Sequence, residues 1–340
     1  MTRIYFFFIF FSLIHISLSA NVRVLSIGIS EYPESSGWNK INAHNDVELI
    51  ESLFPNTVSL ENSEATRSKI ERQLKALATN VTQGDTVIIH FSGHGQQIIT
   101  AASVKEADGV DEALVPFDAR KRETPSYHGE NHFTDDAFGY VIDNLRLATG
   151  PNGLVIAIVD ACHSDSMDKG ADESEEIYRG TYEIFGSENM SAEKKDSLRD
   201  TYHNQDATTL EISDDMSDVI YISACKSDQR NYEVTANGQG YGSLTYYFCE
   251  AYKSNGLSDL PALLSAIYFG MENDQTLKFH GQVPSIRNTI GWVAPTKIPK
   301  STKNTVTGDP PPNPTAIWGI IGVVFIVIFI SLWIARKKKK

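Results

Sequence analysis

Two short stretches of this chain carry residue types that together do covalent chemistry. Ser92-Gly93-His94-Gly95 follows an apolar run, TVIIHF (86–91), and Asp160-Ala161-Cys162-His163-Ser164 follows another, LVIAIV (154–159). If both runs are strands of one sheet, the two loops lie beyond its carboxyl edge, where open α/β sheets hold their active sites. A thiol then faces an imidazole, an arrangement for nucleophilic catalysis in which the thiolate attacks and the imidazole manages protons. The glycines beside His94 let a substrate backbone come close. The N–H groups of Gly95 and Cys162 are candidates to hold an oxyanion, a donor of that kind being worth ~3–4 kcal/mol. Taken singly, each stretch is weak: a cysteine after an apolar strand is usually a small core residue, and GHG is often only a turn. His163 is a competing base, but the immediate chain neighbour of Cys162 can hardly face its sulfur squarely, so His94 is preferred. Cys225 and Cys249 end no strand beside the histidine stretch and are expected to be dispensable. Three cysteines without a CxxC describe neither a disulfide framework nor a zinc site.

The elements that must position these groups alternate. VRVLSIGI (22–29), 57–60, 86–91, 154–159 and 219–223 read as strands; 42–54, 66–78, 136–147, 243–252 and 260–269 read as helices. Ala43, Val47, Ile50 and Phe54 share one helical face, as do Ile70, Leu74 and Leu77. Strands alternating with helices predict an α/β fold with a mostly parallel central sheet covered on both faces. Residues 96–133 read as a polar connection, and 163–217 as a long acidic insertion, a kind of segment that is usually functional or mobile.

Both ends read as targeting or membrane segments. Arg3, an apolar run from Ile4 to Ile14 and Ser17-Leu18-Ser19-Ala20 predict a signal peptide over 1–20, the apolar run being shorter than the ~20 residues of a spanning helix. Residues 294–315, with six prolines, read as a semi-rigid stalk. Ala316 to Ala335 is uncharged and is followed by the basic cluster 336–340, predicting one C-terminal transmembrane helix with a cytoplasmic tail and the body, 21–293, outside the cytoplasm. That suits the periplasmic side of a bacterial inner membrane; the final KKKK would also satisfy a di-lysine retrieval signal in a eukaryote. The formal charge is −13, and since Arg3 and the tail supply six positive charges, residues 21–335 carry −19. An acidic body lacks the basic footprint that nucleic-acid binding needs.

FSGHG and DACHS resemble the histidine and cysteine boxes of the metacaspases, in the caspase-like clan of cysteine peptidases. GISEY, NAHNDVELI, DGVDEALVPFD, TDD and SACKSDQ agree, the resemblance covers roughly 22–292, and the 68 residues from His94 to Cys162 fit it. It implies a caspase-like α/β sandwich, peptide-bond hydrolysis and a His94–Cys162 dyad. Metacaspases carry an acid two residues before the cysteine and cut after arginine or lysine. Asp160 stands there, and a carboxylate at the floor of the first pocket pairs a guanidinium through charge-assisted hydrogen bonds; Asp228 is a second candidate. The plain alternative for Asp160 is a strand-end cap. Many metacaspases need calcium, which takes six to eight oxygens. Asp111, Asp135 and Asp136 match positions where the family gathers such ligands, with Asp168 a further contributor; otherwise they are a solvated acidic surface with a helix cap.

One departure is Asp165, where the family usually has glycine after CHS. The implied substrates are peptides or proteins with a basic residue before the cut. A non-catalytic surface module and a transpeptidase or transamidase of the same clan are the alternatives. The insertion holds Lys169, Arg179, Lys194, Lys195 and Arg199, each a candidate for self-cleavage by an enzyme with a basic pocket.

Overall fold

The structure, a computed structural model of the chain, describes residues 21–99, 110–162, 177–191, 210, 212–226 and 229–295. The expected signal peptide, the transmembrane stretch, nearly all of the stalk, much of the insertion, Asp168 and Asp228 lie outside the described residues. Among the described residues no helix is long and apolar enough to cross a membrane.

The β-branched runs pair as expected. Strands β1 (Val22–Gly28), β3 (Thr86–Ser92), β7 (Leu154–Asp160) and β8 (Asp218–Ser223) lie side by side in parallel, with β2 (Val58–Glu61) at one edge. β11 (Ser285–Asn288) joins antiparallel at the other edge, giving the order β11-β8-β7-β3-β1-β2. β3 and β7 are buried along almost their whole length, which is why they are continuous apolar runs rather than alternating ones.

Helices cover both faces. On one face α1 (Ala43–Leu53), α4 (Ser243–Asn255), α5 (Leu260–Asn273) and α6 (Gln275–Phe279) form a core around Ile50, Phe248, Leu264 and Ile267. On the other, α2 (Arg67–Asn80) and α3 (Asp135–Thr149) contribute Ile70, Leu74, Ile142 and Leu145. Leu77 packs at the border of that core rather than within it.

The sequence reading needs two corrections. Residues 96–133 are more than a polar connection: β4 (Gly95–Ile98), β5 (Asp111–Leu114) and β6 (Phe133–Thr134) form a second, antiparallel sheet. GQQI lacks apolar alternation, and tertiary hydrogen bonds bury it instead. Gln96 donates from Nε2 to the carbonyls of Lys121 and Glu183, 2.9 Å each, and its Oε1 meets His132 at 2.9 Å. A hairpin of β9 (Glu233–Ala236) and β10 (Gln239–Gly242) was also unforeseen. Its two-residue loop, Asn237-Gly238, has φ of 53° and 80°, the double left-handed geometry of a tight hairpin turn.

Candidate active site

Register decides what meets what at the carboxyl edge. Ser92 pairs with Asp160 across β3 and β7, and the Gly93 N–H donates to the Asp160 carbonyl at 3.3 Å. His94 and Cys162, each two residues past its paired strand end, therefore leave the sheet on adjacent strands.

His94 is buried and held on three sides. Its Nε2 donates to the Asn39 carbonyl at 2.9 Å, its ring stacks on Trp38 with centroids 4.9 Å apart, and Tyr32 lies against it at 5.3 Å. Because a carbonyl only accepts, the proton sits on Nε2 and Nδ1 keeps its lone pair. That Nδ1 is buried and has no hydrogen-bond partner among the described residues. Burial pushes the imidazole down to about 4, against the Asn39 carbonyl, which favours the charged form. The ring is thus a neutral base at pH 7.

Cys162 is also buried, and its Sγ–H donates to the Gln229 carbonyl at 2.9 Å. Cys225, expected to lie apart, follows β8 and comes alongside: the neighbouring Cys162 thiol and then burial raise its thiol well above the ordinary range. The sheet order explains this, since β7 and β8 are neighbours and both cysteines follow their carboxyl ends.

Two N–H groups were expected to hold an oxyanion. The Cys162 N–H donates to the Arg179 carbonyl at 2.8 Å. Val115 N–H donates to the His94 carbonyl at 3.0 Å, which makes Gly95 and Leu114 a non-hydrogen-bonded pair and turns the Gly95 N–H away from β5.

Beside the thiol lies a buried charge cluster that the sequence reading only partly foresaw. The Arg179 guanidinium, fully buried, donates from Nη1 to Asp46 Oδ2 and Ser92 Oγ at 2.7 Å each, and from Nη2 and Nε to Glu233 Oε1 at 2.8 and 3.2 Å. Asp160 stands 3.7 Å from Nη1. Its carboxylate is otherwise engaged, Oδ2 by the Thr245 N–H and hydroxyl at 2.7 Å each and Oδ1 by Asn231 Nδ2 at 2.8 Å. His90 completes the support. Thr245 gives its hydroxyl proton to Asp160, so it accepts from His90 Nε2 at 2.9 Å, and His90 Nδ1 accepts from Ser26 at 2.8 Å. Asp160 therefore stands beside the guanidinium, whose closer contacts belong to Asp46 and Glu233. Burial, reinforced by Asp160, lifts Asp46 to about 6 although the Arg179 charge opposes it. For Arg179 burial disfavours the charge, but Asp46, Asp160 and Glu233 outweigh it and hold the guanidinium above its ordinary value. Gly242 leaves room for the pair: a Cβ there would come within 2.2 Å of Asp160 Oδ2 and 2.4 Å of Arg179 Nη1.

Asp46 was legible in principle. It falls on the apolar stripe of α1 with Ala43, Val47 and Ile50, all buried, and an acid on such a stripe must have a partner. Glu233 had no such signal.

The acidic residues expected to bind calcium separate. Asp135 and Asp136, exposed in the first turn of α3, line a surface cleft with Glu112, Asp143 and Arg287. Asp111 precedes Glu112 on β5, so its side chain leaves the opposite face of the strand. Among the described residues no three His, Cys, Asp or Glu groups gather as a metal cage. Asp168, the fourth acid of that expectation, lies outside the described residues, and no chemical step below runs through a calcium ion.

A family model of the caspase domain matches residues 22–294. Metacaspase-1 of Botryotinia fuckeliana is 26% identical over 229 residues, which are 60% of this chain and 51% of that protein. Metacaspase-1B of Neurospora crassa is 27% identical over 228 residues, 60% and 50% of the two chains. Metacaspase-1A of Aspergillus oryzae is 25% identical over 239 residues, 64% and 54%. The chain spans about half the length of these curated relatives. A crystal structure of a Geobacter sulfurreducens protein shares the fold with a TM-score of 0.53 at 22% identity, covering 82% of this chain and 95% of that one.

Proposed function

The chain belongs to the caspase-domain family, and from that premise we propose that it is a cysteine endopeptidase cutting after arginine or lysine, with Cys162 as nucleophile and His94 as its base. The observation that carries the specificity is the pocket. Three carboxylates whose side chains are at most 5% exposed, those of Asp46, Asp160 and Glu233, converge on the guanidinium of Arg179, whose main-chain carbonyl takes the Cys162 N–H. Buried carboxylates in such excess are strongly unfavourable without a cation, and an arginine fork satisfies two of them in one plane.

The reaction follows from the groups at the strand ends. The free lone pair of His94 Nδ1 takes the Cys162 proton as sulfur attacks the carbonyl carbon. Charge developing on the carbonyl oxygen is held by the Cys162 N–H, with the Gly95 N–H as second donor. The imidazolium, disfavoured by its burial, returns its proton to the departing amine, and water then hydrolyses the thioester by the reverse route. Asn39, Trp38 and Tyr32 keep the imidazole in one tautomer and one orientation throughout.

The test is hydrolysis of fluorogenic peptides ending in arginine, lysine or aspartate, with and without added calcium, by wild type and Cys162→Ala. Preference for aspartate, or turnover by Cys162→Ala, would remove the assignment. Anchoring through 316–335 is part of the proposal, supported by the length of the uncharged stretch and the five cations after it. Release of the full chain from membranes by alkaline carbonate would count against it.

A further inference from the structure

The turn between α2 and β3 carries a residue pattern that the peptidase chemistry does not use. Asn-x-Ser/Thr with a middle residue other than proline, the acceptor triplet for N-linked sugar, occurs twice in the chain, at Asn80-Val81-Thr82 and Asn189-Met190-Ser191. A triplet alone is a weak signal, and the structure adds two observations at the first of them.

One concerns the atom that would carry the sugar. The other asparagines of the α-helices each donate their Nδ2 within the fold. Asn45 gives it to the Gly240 carbonyl at 2.8 Å, and Asn144, Asn255 and Asn273 turn back to a carbonyl of the preceding turn at 2.8, 2.8 and 2.7 Å. Asn80 is the last residue of α2, is exposed, and makes no side-chain hydrogen bond among the described residues. The chain leaves the helix at Val81, with φ −71° and ψ 154°, and Thr82 is exposed as well. The turn is fixed from below, since Asp85 Oδ2 takes the Thr82 N–H at 3.0 Å and Arg23 Nε at 2.6 Å.

The other concerns what lies beside it. Asn80 lines a surface cleft of about 600 Å³ where α2 meets β1 and β2, together with Arg23, Asn56 and Gln73. The same cleft holds Val22 and Val58, 42% and 49% exposed. β2 is an edge strand, and among the described residues no strand pairs with its outer side. Such an edge is a template for unwanted pairing unless something covers or charges it. A sugar suits this cleft: its hydroxyls can meet amide and guanidinium groups while its C–H faces lie on valine.

We propose that Asn80 carries an N-linked oligosaccharide whose first sugars lie in this cleft and cover the β2 edge. This rests on the anchoring proposed above, with the body outside the cytoplasm, and it selects the secretory route of a eukaryotic cell over a bacterial periplasm. Asn80 Nδ2 bonds to C1 of the first sugar of a lipid-linked oligosaccharide. The bond from C1 to the lipid pyrophosphate oxygen breaks, and the proton leaving Nδ2 goes to the released pyrophosphate. The folded surface must then have room for the sugar, and at Asn80 it has.

The full chain is translated with endoplasmic-reticulum microsomes as wild type, Asn80→Gln, Thr82→Ala and Thr82→Ser, and protection of the body from added protease is read beside the sugar. Each chain, and wild type isolated from the cells that make it, is treated with peptide N-glycosidase in heavy-oxygen water, which leaves a labelled aspartate wherever a sugar stood. Mass spectrometry keeps position 80 apart from position 189. Wild type from both sources and Thr82→Ser should be labelled at position 80, and Asn80→Gln and Thr82→Ala should lose that label completely. A body protected from protease without label at position 80 overturns this inference and leaves the anchoring intact. A body open to protease overturns the anchoring and this inference with it. For the covering role, wild type and Asn80→Gln are purified from microsomal membranes in detergent and sedimented. Asn80→Gln should aggregate several-fold more than wild type while its folded fraction turns over peptide at the wild-type rate. Equal aggregation overturns the placing of the sugar on the β2 edge.

Discussion

Arg146 and Arg179 are both buried, with 2% and 0% of their surface exposed, yet their surroundings differ in kind. Arg146 projects from the last turn of α3. Its Nε donates to the Ser217 carbonyl at 3.0 Å and its Nη1 to Asp143 at 3.0 Å, a carboxylate that is 40% exposed. The Ser217 N–H returns a bond to the Arg146 carbonyl at 3.1 Å, so the pair ties the approach to β8 onto α3. Arg179 belongs to no helix or strand of the core. It faces three carboxylates from α1, the end of β7 and the start of β9, all at most 5% exposed. Among the described residues Arg146 meets a carbonyl and one half-solvated acid. Three buried acids around one cation exceed what an arginine needs, and on that surplus the proposed basic specificity rests.

That contrast can be broken, starting with its largest expected effect. Cys162→Ala should abolish peptide cleavage while leaving both arginines buried and the thermal midpoint near that of wild type; residual turnover on active-site titration would contradict it. Asp46→Asn keeps the size and removes the direct partner of the guanidinium. Its kcat/KM for basic peptides should fall by about a hundredfold or more, a buried pair robbed of one partner typically losing ~3–5 kcal/mol. Asp160→Asn, at 3.7 Å, should lose less, and equal losses would show that distance does not rank these two acids. Arg146→Ala should do the reverse. It orphans a buried carbonyl and empties a large site, costing ~3 kcal/mol in chemical unfolding, with kcat/KM of the folded fraction unchanged.

Acid should act on the whole edge. His90, His94 and His132 are pushed from 6.5 to about 4, chiefly by burial. A histidine with a depressed native value binds fewer protons folded than unfolded between pH 6.5 and 4, so stability falls as pH drops through that window. Each contributes up to about 3 kcal/mol. Asp46, raised from 3.8 to about 6, works the other way over nearly the same range. Three against one leaves a net loss toward acid, measurable as a falling urea midpoint. Replacing His132, remote from the pocket, by glutamine should flatten that slope; an unchanged slope would contradict the assignment of burial as its cause.

The smallest effect separates the two cysteines that follow neighbouring strands. Cys225→Ser should keep turnover within a few-fold of wild type, because the proposed nucleophile is Cys162, two residues past β7 beside the histidine strand. Loss of activity comparable with Cys162→Ala would give Cys225 a larger part in the chemistry than its position supports.

How much was legible follows from the range of the interactions involved. TVIIHF and LVIAIV could be read as adjacent buried strands because a strand covered on both faces must be apolar throughout, a local property of the sequence. His94 and Cys162 could be placed at the carboxyl edge of the sheet because they follow those strands directly. The apolar faces of α1 and α2 were likewise written in 3.6-residue spacing. The second sheet was hidden because Gln96 is buried through side-chain partners up to 87 residues away, and no local pattern encodes that. The pocket was half hidden for the same reason. Asp160 adjoins Cys162 in sequence, whereas Asp46 and Glu233 join it around Arg179 only when α1 and β9 pack over the end of the sheet, and the alignment of Arg179 among the three is a tertiary fact alone. Composition and spacing chose the candidate reactive atoms, because covalent chemistry depends on residue type. Which acids face the cation was decided by packing, because only the closed fold removes the water that would otherwise screen them.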